Sequence, residues 1–155
     1  MAVEIEHKYL VDNALWKKEI PQRSSTIAQA YLCIEPKSTI RIRIKDEQAF
    51  VTIKSKSIGD TRDEFEYEIP LADAEHMMKT MCTNTIEKVR HYITYEGKLW
   101  EVDEFKGDNE GLIIAEIELN SANEKYSIPA WAIRNVSDDR NYANSNLTKN
   151  PFKNW

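Results

Sequence analysis

The sequence of 155 residues is poor in the features that mark several common protein classes. It contains only four glycines, so a glycine-rich phosphate-binding loop is excluded. Its two cysteines, Cys33 and Cys82, form no C-x-x-C motif. They are expected to be reduced thiols of a cytoplasmic protein, with a single disulfide left open.

Long apolar runs and an excess of basic residues are absent as well. The start of the chain has no apolar signal core, and no run reaches the roughly 18 apolar residues that span a bilayer. The formal net charge is −5, with no terminal basic arm. This charge argues against nucleic-acid binding, which requires a basic face or stripe. We therefore expect a soluble, unexported protein.

What the chain has instead is a repeated alternation of apolar and charged residues. Such period-2 patterning is typical of half-buried β-strands. It predicts eight strands, near 2–11, 27–34, 38–46, 49–58, 62–69, 86–95, 98–106 and 112–120. Short connections between them favour antiparallel pairing. Small helices are predicted at 12–19 with Asp12 as N-cap, at 71–81 and at about 139–148.

Charged side chains share one face on nearly every predicted strand, because residues i and i+2 point to the same side. The acidic pairs are Glu4 with Glu6, Glu101 with Asp103, and Glu116 with Glu118; the basic pairs are Arg41 with Arg43, Lys54 with Lys56, and Lys88 with Arg90. A solvated sheet face would explain any one strand, but not this segregation of sign among strands. Eight strands can close a barrel wide enough for one small ligand. We therefore predict that the charged faces point into a closed tunnel.

A charged interior is costly unless an ion and a polyanion neutralise it. Clustered carboxylates are suitable ligands for Mg²⁺ or Mn²⁺. Arginine and lysine side chains suit the oxygens of a phosphate chain. A metal ion that bridges phosphate oxygens can also acidify and position a water molecule for attack. The residue types therefore favour metal-dependent chemistry on a phosphate chain.

The order of the motifs resembles that of the CYTH domain, the family of triphosphate tunnel metalloenzymes. The matching segments are Glu4-x-Glu6-x-Lys8, Gln29-Ala30-Tyr31-Leu32, Arg41-x-Arg43, Thr52-Ile53-Lys54, Arg62-x-Glu64-x-Glu66, Glu87-Lys88-Val89-Arg90, Val102-Asp103-Glu104-Phe105-Lys106-Gly107 and Ala115-Glu116-Ile117-Glu118. The resemblance spans Glu4 to about Leu147. It implies an α+β fold, mainly antiparallel, with an eight-stranded closed barrel, a few peripheral helices and a single domain over 1–155.

The resemblance also implies the roles of individual residues. The metal ligands would be Glu4, Glu6, Glu64, Glu66, Asp103, Glu116 and Glu118, with Mg²⁺ or Mn²⁺ as the cofactor. The substrate-binding residues would be Lys8, Arg41, Arg43, Lys54, Arg62, Lys88 and Arg90. Tyr31 and Lys54 match a catalytic pair that helps to activate water or steady the leaving group.

The chain departs from the family pattern at two positions. In the segment Asp139-Arg140-Asn141-Tyr142-Ala143-Asn144, Asn141 stands where bacterial members carry arginine. Ala30 replaces a common glycine. The first departure makes the 139–144 segment a weaker candidate for the site.

Hydrolysis of inorganic tripolyphosphate to pyrophosphate and phosphate is the expected function, since no base-recognition motif is present. The alternatives are a thiamine or nucleoside triphosphatase, a CYTH-type adenylate cyclase, a non-catalytic polyphosphate sensor, and a charged-surface β domain of unrelated role. The intact acidic set argues against a sensor, because anion binding needs only the basic residues. The expected partner is a small-molecule triphosphate, with no nucleic acid and no membrane; a homodimer is left open.

Overall fold

The strands of the protein follow the alternation of apolar and charged residues in its sequence. The computed structural model describes residues 2–155; the domain boundary expected at residue 1 lies outside them. The strands are β1 (Ala2–Val11), β2 (Arg23–Ile34), β3 (Ser38–Lys45), β4 (Gln48–Ser55), β5 (Thr61–Ile69), β6 (Ile86–Tyr95), β7 (Lys98–Phe105), β8 (Ile113–Glu118) and β9 (Ala132–Asn135).

Eight of these strands close into an antiparallel barrel. They are hydrogen-bonded in the order β5-β4-β3-β2-β6-β7-β8-β1, and β1 pairs again with β5. The closing contact joins residues 2–5 to residues 61–64. Further along β1, residues 9–11 pair with β9, which adds a strand outside the closed barrel. The predicted closed barrel of α+β class is thereby confirmed.

Three strand predictions need correction. β2 begins at Arg23, four residues before the predicted start, because Arg23–Thr26 pair with β6 across the sheet. β4 ends at Ser55, so its predicted extension to residue 58 is wrong. β9 was not predicted at all. Its four residues are too short to show an alternating pattern, and their pairing with β1 is a tertiary contact.

The helices are short and peripheral: α1 (Asn13–Trp16), α2 (Leu71–Thr80) and α3 (Asn144–Leu147). Asp12 caps α1 as predicted, since its side chain accepts a hydrogen bond from the amide of Leu15 at 2.9 Å. The continuous helix predicted at 139–148 is wrong. Ala143 adopts an extended backbone there and separates a 3₁₀ turn, Arg140–Tyr142, from α3. Within residues 2–155, no helix combines the length and the apolar character needed to cross a membrane.

Apolar side chains cover the outside of the barrel, which is the reverse of an ordinary solvated sheet. Trp100 lies on the outward face of β7 and contacts Trp131, with ring centroids 5.7 Å apart. Trp16 of α1 packs on the same Trp131 at 5.1 Å. On the opposite side, Ala74 of α2 packs against Ile42 of β3. The outward apolar faces are thus buried under helices and loops, leaving the inward faces for charged residues.

One end of the barrel interior is apolar. The inward faces of four strands end in Leu10, Ile86, Phe105 and Ile114. The last three belong to one buried cluster, and the half-buried Leu10 packs against it. Tyr142 and Leu147, from the C-terminal segment, pack into this cluster. The C-terminal segment therefore closes one end of the barrel, and the charged part of the interior lies beyond it.

Candidate active site

The charged strand faces enclose a cavity of about 310 Å³ inside the barrel. The predicted site residues that line it are Glu4, Glu6, Lys8, Tyr31, Arg41, Arg43, Lys54, Arg62, Glu64, Glu66, Arg90, Glu116 and Glu118. Lys88 and Asp103, also predicted for the site, are buried beneath this surface rather than on it. The charged faces thus converge on one cavity as predicted for Glu6, Arg41, Lys54 and Glu118, whereas the prediction that Lys88 lies on its surface is wrong.

The buried group beneath the cavity consists of Lys88, Arg90 and Asp103. Arg90 holds both oxygens of Asp103, through Nε at 2.7 Å and Nη2 at 2.9 Å. Lys88 Nζ lies 2.7 Å from Asp103 Oδ2. Burial opposes ionisation of Asp103, but Arg90 and Lys88 outweigh it and hold its pKa well below the usual range. Asp103 therefore anchors Arg90, and both of its carboxylate oxygens are engaged.

Lys88 has an environment unlike that of the other lysines. Burial lowers its pKa to about 7, against the opposing influence of Asp103. Its Nζ also donates to Oδ1 of Asn144 at 3.1 Å. This bond ties the C-terminal segment to the wall of the barrel.

Carboxylates dominate the part of the cavity formed by β1 and β8. The antiparallel register places Glu6 opposite Glu118 and Lys8 opposite Glu116. Lys8 Nζ lies 3.9 Å from Glu116 Oε1. Glu4, one step along the same face of β1, contacts Lys54 Nζ at 3.0 Å and Arg62 Nε at 3.1 Å.

The crowding of these carboxylates changes their acidity in opposite directions. Burial, Glu116 and Glu4 together raise the pKa of Glu6 well above its ordinary value. Burial acts the same way on Glu4, but Lys54 and hydrogen bonds from Glu6 and Glu64 outweigh it and lower the pKa. Burial and Glu4 raise the pKa of Glu118. The negative charge at Glu6 and Glu118 is therefore under-compensated by the protein.

A divalent cation fits this donor set chemically, because hard oxygen ligands with uncompensated negative charge are what Mg²⁺ and Mn²⁺ bind. Within residues 2–155, however, no three side chains of the His, Cys, Asp and Glu types converge on one ion position. Glu4 instead points to Lys54 and Arg62. An ion that binds Glu4 must therefore compete with these two basic side chains.

The basic side of the cavity is formed by β3 and β4. Arg41 Nη2 donates to Thr52 Oγ1 at 3.0 Å and lies 3.5 Å from Glu66 Oε2. Its Nε is buried with no hydrogen-bond partner among the described residues. A buried donor without an acceptor costs free energy, which an anionic oxygen in the cavity would recover.

The predicted catalytic residues Tyr31 and Lys54 both line this cavity. Tyr31 stands opposite Arg41 on β3, and Lys54 lies between Glu4 and Glu64, 3.2 Å from the latter. Burial and Arg41 lower the pKa of Lys54. Across residues 2–155 no hydrogen bond joins Tyr31 to Lys54, so each reaches the cavity independently.

Comparison with known families identifies this arrangement. A family model described as the CYTH domain matches residues 2–151. The chain belongs to the CYTH family.

The proteins similar to this chain include two that are named inorganic triphosphatase. One, from Acetivibrio thermocellus, is 40% identical over 100% of this chain and 99% of its own length. The other, from Nitrosomonas europaea, is 31% identical over 93% of this chain and 95% of its own length. A solved crystal structure of an inorganic triphosphatase superposes with a TM-score of 0.66, at 26% identity, over 96% of this chain and 95% of that one.

Several residues of the CYTH cavity were not predicted as site residues: Thr39, Lys45, Gln48, Phe50, Glu101, Ala143, Asn144 and Ser145 line it, and Gln29 lies in its wall. Glu101 lines the cavity and accepts from Arg90 Nη1 at 3.0 Å; its shared strand face with Asp103 was the signal that could have found it. Gln29 and Asn144 are uncharged, so charge patterning could not find them. Arg140, which stands next to the missing family arginine, lies exposed on the outside of the barrel and does not replace it in the cavity.

Proposed function

We propose that this chain is a divalent-metal-dependent triphosphatase that hydrolyses inorganic tripolyphosphate to pyrophosphate and phosphate. The observation that carries the proposal is the convergence of basic and acidic side chains on opposite walls of one cavity inside a closed barrel. The names of the full-length relatives support the same activity. The cavity volume, about 310 Å³, lies at the small end of the usual range for small-molecule sites.

In this proposal the basic wall binds the phosphate chain. Arg41 and Arg43 on β3 and Lys54 on β4 face the lumen together. Charge-assisted hydrogen bonds from these groups are stronger than neutral ones and neutralise the charge of the anion. Arg90, held by Asp103, presents a guanidinium of fixed orientation from the other side.

The acidic wall would hold the metal ion, with Mg²⁺ or Mn²⁺ proposed from the oxygen-only donor set. Glu6, Glu116 and Glu118 are the proposed ligands, with Glu4 joining them when its basic partners turn to the phosphates. The bound ion would neutralise phosphate oxygens and acidify a water molecule. Glu64 and Glu66 are assigned to the rim of this wall.

Tyr31 and Lys54 are proposed to act on the reacting phosphate. Lys54 can donate a proton or a hydrogen bond to the leaving oxygen, and its lowered pKa favours donation. Tyr31 can orient the attacking water through its hydroxyl. These are roles in positioning and proton transfer, which phosphoryl transfer uses in addition to charge neutralisation.

The closed end of the barrel favours an inorganic substrate. Tyr142 and Leu147 pack into the far end, so a ligand must enter from the other side. A bare phosphate chain can enter completely, whereas a nucleoside or thiamine group would have to remain outside the charged cavity. We therefore propose that affinity comes from the phosphates alone.

Steady-state kinetics on tripolyphosphate, ATP and pyrophosphate with Mg²⁺ or Mn²⁺ tests the function. Tripolyphosphate is expected to have the highest kcat/KM, with no turnover in EDTA. In the same assay Tyr31→Phe should lower kcat more than it raises KM. A preference for ATP, or formation of cyclic AMP, would reassign the protein to nucleotide hydrolysis or cyclisation.

The cellular location and the oligomeric state of the protein are also proposals. Cys33 and Cys82 are both free thiols, which is consistent with a cytoplasmic location. We propose a single tunnel domain that acts on a small molecule without nucleic acid. A homodimer is compatible with this assignment, and analytical ultracentrifugation would test it.

A further inference from the structure

The basic side chains of the cavity differ in how their charge is compensated. Most have a carboxylate partner: Lys8 has Glu116, Arg41 has Glu66, Lys54 and Arg62 have Glu4, and Lys88 and Arg90 have Asp103. Arg43 is the exception in this predicted substrate-binding set. Within residues 2–155 it has no carboxylate at salt-bridge distance, and neither has Lys45, which also lines the cavity. A phosphate that binds these other groups must compete with a carboxylate, but at Arg43 it need not.

Arg43 is held instead by a neutral side chain. The β2–β3 register places Gln29 directly opposite it. Gln29 Oε1 accepts two hydrogen bonds from the guanidinium, from Nε at 3.0 Å and from Nη2 at 2.7 Å. Gln29 itself is fully buried. The amide oxygen therefore fixes the orientation of Arg43 without cancelling its charge.

The orientation of the Gln29 amide is determined by its partner. Two guanidinium donors can be satisfied only by the oxygen, because the opposite flip would set NH₂ against N–H. As a result Nε2 of Gln29 is buried without a hydrogen-bond partner among the described residues. An unsatisfied buried amide destabilises the fold. The Gln29–Arg43 pair therefore lowers the stability of the fold through the unsatisfied Nε2, which favours a functional role for the pair over a purely structural one.

The surroundings of Arg43 disfavour its positive charge. Burial, Arg41 and Arg90 lower its pKa to about 9. Part of the side chain faces the cavity, and the N–H groups not used by Gln29 remain available there. An anion bound at this point would pair with a guanidinium that has no carboxylate partner. Its negative charge would also offset the repulsion of Arg43 by Arg41 and Arg90.

We propose that Gln29 is a positioning residue that holds Arg43 charged and aimed into the cavity, making Arg43 a point at which the phosphate chain is bound without displacing a protein carboxylate. This proposal rests on the proposed function for the choice of tripolyphosphate as the anion. It predicts that tripolyphosphate binds before any metal ion is supplied, through a contact that depends on the neutrality of residue 29.

Isothermal titration calorimetry with sodium tripolyphosphate in EDTA tests the proposal, because it measures binding and not turnover. Gln29→Glu keeps the acceptor but adds a charge, and it should weaken binding about tenfold or more. Gln29→Met keeps the volume but removes the acceptor, and it should weaken binding by roughly threefold. In an Arg43→Gln background Gln29→Met, which adds no charge, should not alter the affinity by more than about twofold.

Three results would overturn the proposal: unchanged affinity of Gln29→Glu, an equal loss for Gln29→Met in both backgrounds, or no binding by the wild-type protein. Thermal unfolding checks that the buried substitutions leave the fold intact. If neither Gln29 variant folds, Arg43→Lys tests the same pair on a partly exposed side chain, since lysine cannot donate twice to the amide oxygen. It should bind about tenfold more weakly, and wild-type affinity would overturn the proposal.

The binding test of Gln29 and the kinetic test of the triphosphatase activity can fail independently of each other. A protein that shows this binding pattern but hydrolyses no triphosphate would reject the enzymatic assignment and leave the role of Gln29 standing. A protein that hydrolyses tripolyphosphate without this pattern would reject the role of Gln29 alone.

Discussion

At the scale of single residues, Glu4 and Glu6 show how two carboxylates on one strand face acquire opposite properties. Glu4 contacts Lys54 and Arg62. Burial alone would raise its pKa, but Lys54, hydrogen bonds from Glu6 and Glu64, and Arg62 together lower it. Glu6 is surrounded by Glu4 and Glu116, which add to the effect of burial and raise its pKa. The ordinary value for both is 4.5. The ionised form of Glu4 therefore stabilises the folded state, whereas that of Glu6 destabilises it.

Glu6→Gln should stabilise the fold at pH 8, because a neutral amide removes the penalty of ionisation. The raised pKa means that the penalty grows as pH rises above 4.5, so the gain should shrink toward pH 5. Metal-dependent turnover should fall on the order of a thousandfold. Thermal unfolding in EDTA at the two pH values, together with kinetics, measures both effects.

Glu4→Gln is the matched control on the same strand. Its lowered pKa means that the carboxylate stabilises the fold above pH 4.5 and loses that effect as pH falls. The substitution should therefore lower Tm at pH 8, opposite in sign to Glu6→Gln. Equal shifts in both variants would show that local electrostatics do not control stability here.

At the scale of elements, the C-terminal segment connects the fold to the site. Tyr142 and Leu147 pack against Phe105 and Ile114 at the closed end. Asn144 lies between them in the chain and accepts a hydrogen bond from Lys88. A segment that is mostly polar in sequence therefore supplies both an apolar closure of the barrel and one polar contact to the wall.

Leu147→Ala should destabilise the protein by about 2–5 kcal/mol, because it leaves a cavity in a buried cluster. Leu147 is only 1% exposed, whereas Leu99, the matched control, is 43% exposed. Leu99→Ala should therefore cost less than about 1 kcal/mol. Urea unfolding of the two variants measures the difference. A small loss for Leu147→Ala would mean that the segment does not close the barrel in solution.

At the scale of the whole molecule, closure of the barrel depends on its shortest strand contact. β1 and β5 pair only through residues 2–5 and 61–64, whereas β6 and β7 pair along 88–95 and 98–105. An ion pair reinforces the short contact, since Arg62 Nε of β5 lies 3.1 Å from Glu4 Oε2. The charges of the cavity therefore also help to hold the barrel closed.

Backbone amides of residues 61–63 should exchange with solvent at least about tenfold faster than those of β6 and β7, because short pairings open at lower free energy. Native-state hydrogen exchange with mass spectrometry measures this. Arg62→Gln removes the ion pair and should accelerate exchange at 61–63 further, while exchange in β6 and β7 stays unchanged. Uniform exchange around the barrel would contradict the idea of a weak closing contact.

Much of the fold and the site follows from the sequence, because period-2 alternation assigns each side chain to one face of a strand. That rule alone places Arg41 and Arg43 together and sets Glu116 beside Glu118. The ordered motifs add the family and, with it, the closed barrel. The boundaries of most strands follow from the same local signals.

Only the tertiary structure decided which charges meet, because ion pairs across a barrel join residues far apart in the chain. It placed Asp103 under Arg90, set Glu4 between Lys54 and Arg62, and left Arg43 with a neutral partner. β9 and the broken helix at 139–148 likewise depend on contacts outside their own segments. Sequence patterning assigns a residue to a face, but distance and burial in the closed barrel determine its partner and its charge.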